Sequence, residues 1–263
     1  MKEAYEGFYW EIDADKEHDT IINDLARIMR LRFRTSLTNP SEAGKLLRRP
    51  PRILFIGPPG SGKTTLSRLV AQRFGLVNVS ASELLEREIT RKSVIGREVE
   101  GLIREGKLVS DDIITDLVRQ RLNETDCKVN GWTLEGYPKN EAQVIMLKTM
   151  KQIPSLIVLL EVDDGVIYER HEYKKVNPLT GEIFNLKDSN VFSNKKLLKK
   201  LIAKENDKHN IVKERLQVWK EFAQNFGDLL KERKVLTLAA DKNIGDLVDT
   251  ISETIESVGK DAF

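Results

Sequence analysis

The sequence predicts an α/β fold in which a five-stranded parallel sheet is covered by helices on both faces. Two observations carry this. Short apolar runs recur at Ile53–Ile56, Leu76–Val79, Trp132–Leu134, Leu156–Val162 and Val235–Leu238, with helical periodicity between them. Continuous apolar strands alternating with helices form parallel sheets buried on both sides. The first run also leads straight into Gly57-Pro58-Pro59-Gly60-Ser61-Gly62-Lys63-Thr64, a glycine-rich turn that opens onto a helix.

The elements can be justified in chain order. Residues 1 to about 50 differ from the rest, with an aromatic and acidic start, a helical stretch through Ile21 to Leu31, and a linker holding Pro40, Gly44, Arg48, Arg49, Pro50 and Pro51. They are expected to form an extension ahead of a domain at 51–263. After the turn, Leu66, Leu69, Val70 and Phe74 have the spacing of one helix face, with Gly75 placed to end the helix. Ile95, Val99, Leu102 and Ile103 predict a second helix. Ile113, Ile114, Leu117, Val118 and Leu122 predict a third, capped by Ser110 with Asp111 and Asp112 in its first turn. Val212, Leu216, Trp219, Ala223 and Phe226 form another stripe, and Ile244, Leu247, Val248, Ile251 and Ile255 a last one. The lysines at 195, 196, 199 and 200 read as a solvated helix face.

The turn carries the chemistry. It fills every position of the G-x-x-x-x-G-K-[ST] phosphate-binding loop, so the expected fold is the three-layer P-loop NTPase type. Glycines let successive backbone N–H groups turn onto phosphate oxygens. Lys63 can reach the β and γ phosphates, Thr64 can place its hydroxyl on Mg²⁺, and the following helix adds the positive end of its dipole. The expected triphosphate-binding set is Gly57, Pro58, Pro59, Gly60, Ser61, Gly62, Lys63, Thr64 and Thr65.

Composition bounds the partners. A formal net charge of +2, from 43 basic and 41 acidic residues, provides no overall field that would draw the chain to nucleic acid. The strongest apolar run, Leu156 to Leu160, is far shorter than the roughly 20 residues that span a bilayer. A single cysteine, Cys127, excludes an internal disulfide, and His18, His171 and His209 show no metal-ligand spacing. A cytoplasmic protein that recognises small anionic ligands is the expectation.

Four further segments, in order, resemble the adenylate kinase family of nucleoside monophosphate kinases. They are Ser80-Ala81-Ser82-Glu83-Leu84-Leu85, Gly106-Lys107-Leu108-Val109-Ser110-Asp111, Gly131-Trp132-Thr133-Leu134-Glu135-Gly136-Tyr137-Pro138-Lys139 with Gln143, and Asn177-Pro178-Leu179-Thr180-Gly181-Glu182-Ile183-Phe184. The resemblance implies a small monophosphate-binding helical insert at about 80–109 and a lid at about 173–207. It implies Mg²⁺-dependent phosphoryl transfer from ATP to AMP, with Glu135 and Thr64 organising the metal through water and Arg170 against the adenine of ATP. Ser82, Arg87, Lys107, Val109, Gly136, Lys139 and Gln143 would hold the monophosphate. Lys63, Lys139, Lys174, Lys204 and Arg215 would surround the transferring group.

The family's pattern also breaks here. Its usual arginines fall on Glu86, Lys139, Lys174 and Lys204, with only Arg215 clearly kept and Arg87 beside the reversed charge of Glu86. Lysine keeps the charge but loses the planar fork that grips phosphate with two bonds. Two functions are therefore compatible with the sequence: an active kinase, or a weakened nucleotide-binding module of a larger assembly. Arg73-Phe74-Gly75-Leu76-Val77-Asn78-Val79, Asp126-Cys127 and the Asn-Pro-Leu-Thr-Gly lid resemble the isoenzyme-8 type of adenylate kinase, associated with cilia and flagella. On that resemblance Tyr5, Phe8, Tyr9 and Trp10 in residues 1–50 either dock on an axonemal partner or pack on the protein's own core.

Overall fold

The computed structural model describes residues 50–104, 109–150, 153–180, 183–187, 195–203, 207–225 and 234–261. The expected N-terminal extension lies outside the described residues, as do Lys107, Lys204 and Phe226.

Five strands form one parallel sheet in the order β2-β3-β1-β4-β7: β1 Arg52–Ile56, β2 Val77–Ser80, β3 Trp132–Glu135, β4 Leu156–Glu161 and β7 Val235–Ala239. These are the five expected strands, shifted by a residue at most ends. The period-2 alternation of each strand separates two cores. Leu54 and Ile56 join Trp132, Leu134, Val77, Val79 and Ile157 on one face, while Ile53 and Phe55 join Leu156, Val158 and Leu160 on the other. Asn78 and Thr133 are polar residues on the second face. Their needs are met locally, because the Ser67 and Thr133 hydroxyls both donate to Asn78 Oδ1, at 2.9 and 3.0 Å. A buried hydroxyl left unpaired there would be costly.

Helices fill the connections. Helix α1 (Lys63–Phe74) ends at Gly75, whose left-handed backbone lets its N–H bond Ala71 O, as the sequence implied. Its buried face is Leu66, Ser67, Val70 and Ala71; Leu69, expected in the core, is 36% exposed. Helix-face spacing allowed Leu69, but small Ser67 and Ala71 let the helix turn a narrower edge to the sheet. Helices α2 (Ala81–Thr90) and α3 (Val94–Arg104) pack closely enough that a Cβ on Gly96 would lie 2.0 Å from Glu88 O. Helix α4 (Asp111–Asn123) begins at Ser110, whose hydroxyl accepts from Ile113 N, the expected cap. Two helices not singled out by periodicity follow, α5 (Thr125–Asn130) and α6 (Glu141–Thr149), flanking β3.

Helix α7 (Asp164–Tyr173) leads into a two-stranded antiparallel hairpin, β5 Lys174–Val176 and β6 Ile183–Asn185, within the expected lid. Short α8 (Lys195–Leu198) leaves Lys196, Lys199 and Lys200 exposed, as a solvated face requires. In α9 (His209–Asn225), Val212 and Leu216 are buried. Phe222, edge-to-face with Trp219, takes the place expected for Ala223, which is exposed. An i+3 step from Trp219 and the larger ring decide that choice. In α10 (Ile244–Asp261), Leu247, Val248, Ile251 and Ile255 are buried, whereas Ile244 at the first turn is exposed.

The α1 correction has a direct consequence. Leu66→Ala is expected to cost about 2–5 kcal/mol as a core truncation, whereas Leu69→Ala costs no more than about 1 kcal/mol. Urea unfolding midpoints of the two variants, at unchanged slope, measure the difference.

Candidate active site

The phosphate loop leaves β1 at the carboxyl edge of the sheet, where doubly wound folds bind ligands. β1 is hydrogen-bonded on both sides, to β3 and β4, so the loop starts from a fixed edge. Two glycines hold its path. A Cβ on Gly57 would lie 2.8 Å from Leu160 O, and Gly60 has φ +76° with His171 Nε2 at 2.8 Å from where its Cβ would be. Ser61 is buried, Thr64 partly buried and Thr65 exposed.

Lys63 folds back under this loop. Its ammonium donates to Gly57 O at 2.7 Å, Pro58 O at 2.5 Å and Ser61 Oγ at 3.2 Å. Loop oxygens thus occupy the donors that phosphate oxygens would take. Burial lowers the Lys63 pKa to about 7; Glu135 opposes the shift, and Arg215 and Lys139 add to it. These four side chains come from α1, the end of β3, the segment after it and α9, yet lie within electrostatic reach of one another. The Lys139 pKa is lowered as well, by desolvation first and then by Arg215, against the pull of Glu135. Lys139 is exposed at the surface, so solvent screens that effect.

The other expected groups can be placed one by one. Glu135 is buried at the carboxyl end of β3. Arg170 in α7 donates through Nη1 to Gly60 O at 3.1 Å and through Nη2 to Ala240 O at 2.5 Å, bracing the loop against the end of β7. Lys174 donates to Asp207 Oδ1 at 2.9 Å. Arg215 is exposed on α9. Ser82, Glu86 and Arg87 are exposed on α2, and Gly136 approaches the start of that helix, with Ala81 Cβ 3.7 Å from where its own Cβ would lie. Glu86 and Arg87 project about 100° apart around the helix axis, so they face different directions. Val109 is partly buried ahead of α4.

Gln143, 2% exposed, has its amide held at both ends. Oε1 accepts from Lys139 N at 2.7 Å and Nε2 donates to Asp111 Oδ1 at 2.6 Å. Asn140 Nδ2 reaches the same carboxylate at 2.9 and 3.1 Å, and its Oδ1 caps α6 by accepting from Gln143 N. Tyr137 Oη donates to Gln143 O at 2.9 Å, which ties the turn after β3 to α6. Two groups escaped the sequence reading. Asp111 registered only as a helix-start charge, although it ends the Gly106–Asp111 segment; His171 registered only as a histidine without metal spacing.

The donor set tests the metal expectation. Thr64 and Glu135 offer hard oxygens near the loop, the type Mg²⁺ accepts while keeping several waters. Among the described residues no group of three His, Cys, Asp or Glu side chains could hold a metal by itself, so any ion here shares its coordination with water and phosphate. No helix among the described residues is long and apolar enough to cross a membrane.

Comparison with known proteins agrees with this geometry. The sequence model of the family described as adenylate kinase matches residues 55–235. The chain is 32% identical over 210 residues to "Probable adenylate kinase 2, chloroplastic" of Oryza sativa subsp. japonica, covering 79% of this chain and 71% of that protein. It is 31% identical over 211 residues to "Adenylate kinase, chloroplastic" of Zea mays, covering 80% and 93%. It is also 36% identical over 135 residues to "Adenylate kinase 8" of Mus musculus, covering 51% of this chain but only 28% of that longer protein.

The Lys63 environment yields a titration test. The folded state disfavours the Lys63 ammonium relative to the unfolded chain, where the ordinary value is 10.5. That cost is present in full below the folded pKa of about 7 and is relieved as pH rises from there toward 10.5. At pH 8 the unliganded amine is mostly neutral, and a triphosphate stabilises its charge, so MgATP binding should take up about one proton. Calorimetry in buffers of different ionisation heat measures the uptake, which should vanish in Lys63→Arg.

Proposed function

This chain belongs to the adenylate kinase family, and from that premise we propose that it transfers the γ-phosphoryl group of ATP to AMP with Mg²⁺, giving two ADP. The observation that carries the reading is the convergence of Lys63, Glu135, Lys139 and Arg215 from four separate segments onto the end of the phosphate loop. Phosphoryl transfer asks mainly for positioning and for positive charge around the transferring oxygens.

In this reading the loop amides of Gly57 to Thr65 cradle the triphosphate, and Lys63 exchanges its bonds to Gly57 O and Pro58 O for phosphate oxygens. Arg170 lies beside the loop to meet the adenine. Ser82, Arg87, Lys107, Val109, Gly136, Lys139 and Gln143 hold the monophosphate, with Gln143 fixed by Asp111 so that its amide presents one orientation to the base. An oxygen of AMP attacks the γ-phosphorus as the bond to the β–γ bridging oxygen breaks. Lys139, Lys174, Lys204 and Arg215 neutralise the charge that develops. Bound Mg²⁺, held by Thr64 and Glu135 largely through water, would supply further neutralisation of the β and γ oxygens. Closure of the segment at about 173–207 would exclude water.

A second reading is favoured by specific observations: Glu86 stands where a phosphate-binding cation is expected, and Lys63 and Lys174 are both engaged by protein oxygens. The chain would then be a nucleotide-binding module with little turnover. Within an assembly such as the ciliary axoneme, residues 1–50 would meet the partner.

A coupled assay of ADP formation separates the two. Turnover is expected with ATP and AMP, with Lys63→Ala lowering kcat by about 10²–10³, the range for losing one stabilising donor. Thermal stabilisation by ATP without any turnover would establish the module instead. If lysine geometry limits the rate, Lys139→Arg should raise kcat by about tenfold, the worth of one added charge-assisted hydrogen bond.

A further inference from the structure

A small polar cluster joins the two ends of the lid to the phosphate loop. His171 sits in the last turn of α7, two residues before that helix ends and runs into β5. Its side chain is 6% exposed, and Nδ1 lies 2.8 Å from Asp207 Oδ1; Asp207, just before α9, is 2% exposed at its side chain. Lys174, at the start of the lid hairpin, donates to that same Oδ1 at 2.9 Å. One carboxylate oxygen from the far end of the lid thus serves two residues at its near end. Directly above, Val176 and Ile202 exchange backbone bonds of 2.8 and 2.9 Å, closing the lid's base. The far edge of the His171 ring lies against the loop, because Nε2 is 2.8 Å from the position of a Gly60 Cβ.

Two polar atoms of the cluster, His171 Nε2 and Asp207 Oδ2, are buried without a partner among the described residues. Such atoms are rare in native interiors, since each forfeits its hydration. An apolar side chain at 171 would fill the space against Gly60 without the unpaired nitrogen, so a packing role alone does not account for a histidine. What the imidazole provides is a second partner for Asp207. Burial raises the Asp207 pKa, but the hydrogen bonds from His171 and Lys174 and their charges outweigh it, and the net shift is downward.

That second partner matters once Lys174 has to leave. A buried carboxylate stripped of its only cation is strongly destabilised, so Asp207 alone would retain Lys174 against a competing phosphate. With Nδ1 still donating, Asp207 remains partnered and Lys174 can transfer. We propose that His171 is a positioning residue that releases Lys174: by holding Asp207 at the lid hinge it lets Lys174 exchange the carboxylate for the phosphates of bound ATP. The proposal rests on the kinase reading for the role of Lys174 but not for its test.

The test is a double-mutant cycle read by binding. Asn at 171 places an amide nitrogen near the position of Nδ1, whereas Gln reaches toward Nε2 and loses the bond to Asp207; both are polar and of similar bulk. Calorimetric affinity for Mg²⁺ and the non-hydrolysable analogue adenylyl imidodiphosphate is expected to fall about tenfold in His171→Gln, one charge-assisted hydrogen bond converted to affinity. His171→Asn should retain most of it. In a Lys174→Ala background the His171→Gln change should cost almost nothing, because no ammonium remains to be released. An equal loss with and without Lys174, or no loss in either, overturns the proposal. Failure of Asn to rescue also overturns it. If the binding pattern holds while the wild type shows no turnover with ATP and AMP, the kinase reading falls and the His171 role stands.

Discussion

The pairing of β1 on both of its edges is the constraint from which the rest of the site follows. Because Arg52–Ile56 is locked between β3 and β4, with both faces of the strand buried, the chain must leave the sheet at one fixed point. Gly57 then turns against Leu160 O on the neighbouring strand, where no side chain would fit. The loop's curvature, the start of α1 and the position of Lys63 are consequences of that exit. The same register brings Glu135, at the end of β3, level with Phe55, the second-last residue of β1. A carboxylate and an ammonium from segments 72 positions apart in the chain meet because two strands pair in one register.

Electrostatics in the site is a contest among close cations in a poorly hydrated space. Lys63 is disfavoured as a cation by burial and by its neighbours Arg215 and Lys139, and Glu135 offsets only part of this. Such a site has an affinity for polyanions that is independent of any particular hydrogen bond, since a triphosphate relieves the mutual repulsion. Lysines in place of arginines change the balance without abolishing it. Their side-chain nitrogens are held by protein oxygens, Lys63 on the loop carbonyls and Lys174 on Asp207. A guanidinium, planar and more weakly hydrated, would be less easily satisfied by a single carbonyl or carboxylate oxygen.

Membership of the adenylate kinase family joins these observations to a known arrangement of parts, and it sharpens what is particular to this chain. The amide of Gln143 is held between Lys139 N–H and Asp111, and Arg170 braces Gly60 against Ala240. Both arrangements fix side-chain and backbone groups beside the phosphate loop by hydrogen bonds within the protein. Preorganisation of this kind reduces the ordering cost of binding. Glu86, exposed on α2, works the other way in the proposed reading, as a negative charge where the monophosphate would bind.

By itself, the sequence determined the strands, the phosphate loop, the Ser110 cap and the Gly75 stop, because each depends on neighbours within a few positions: alternation, capping chemistry and the backbone freedom of glycine. Five ordered motifs were also enough to identify the family. Tertiary structure alone decided which of several eligible residues faces the core, as with Leu69 against Ser67 and Ala71, or Ala223 against Phe222, since helical spacing leaves a face ambiguous by one residue. It alone revealed that Asp111 holds Gln143 and that His171 holds Asp207 beside the phosphate loop. Those pairs are 32 and 36 positions apart in the chain. Their meaning lies in burial and in shared oxygen atoms, which have no periodic signature in a sequence.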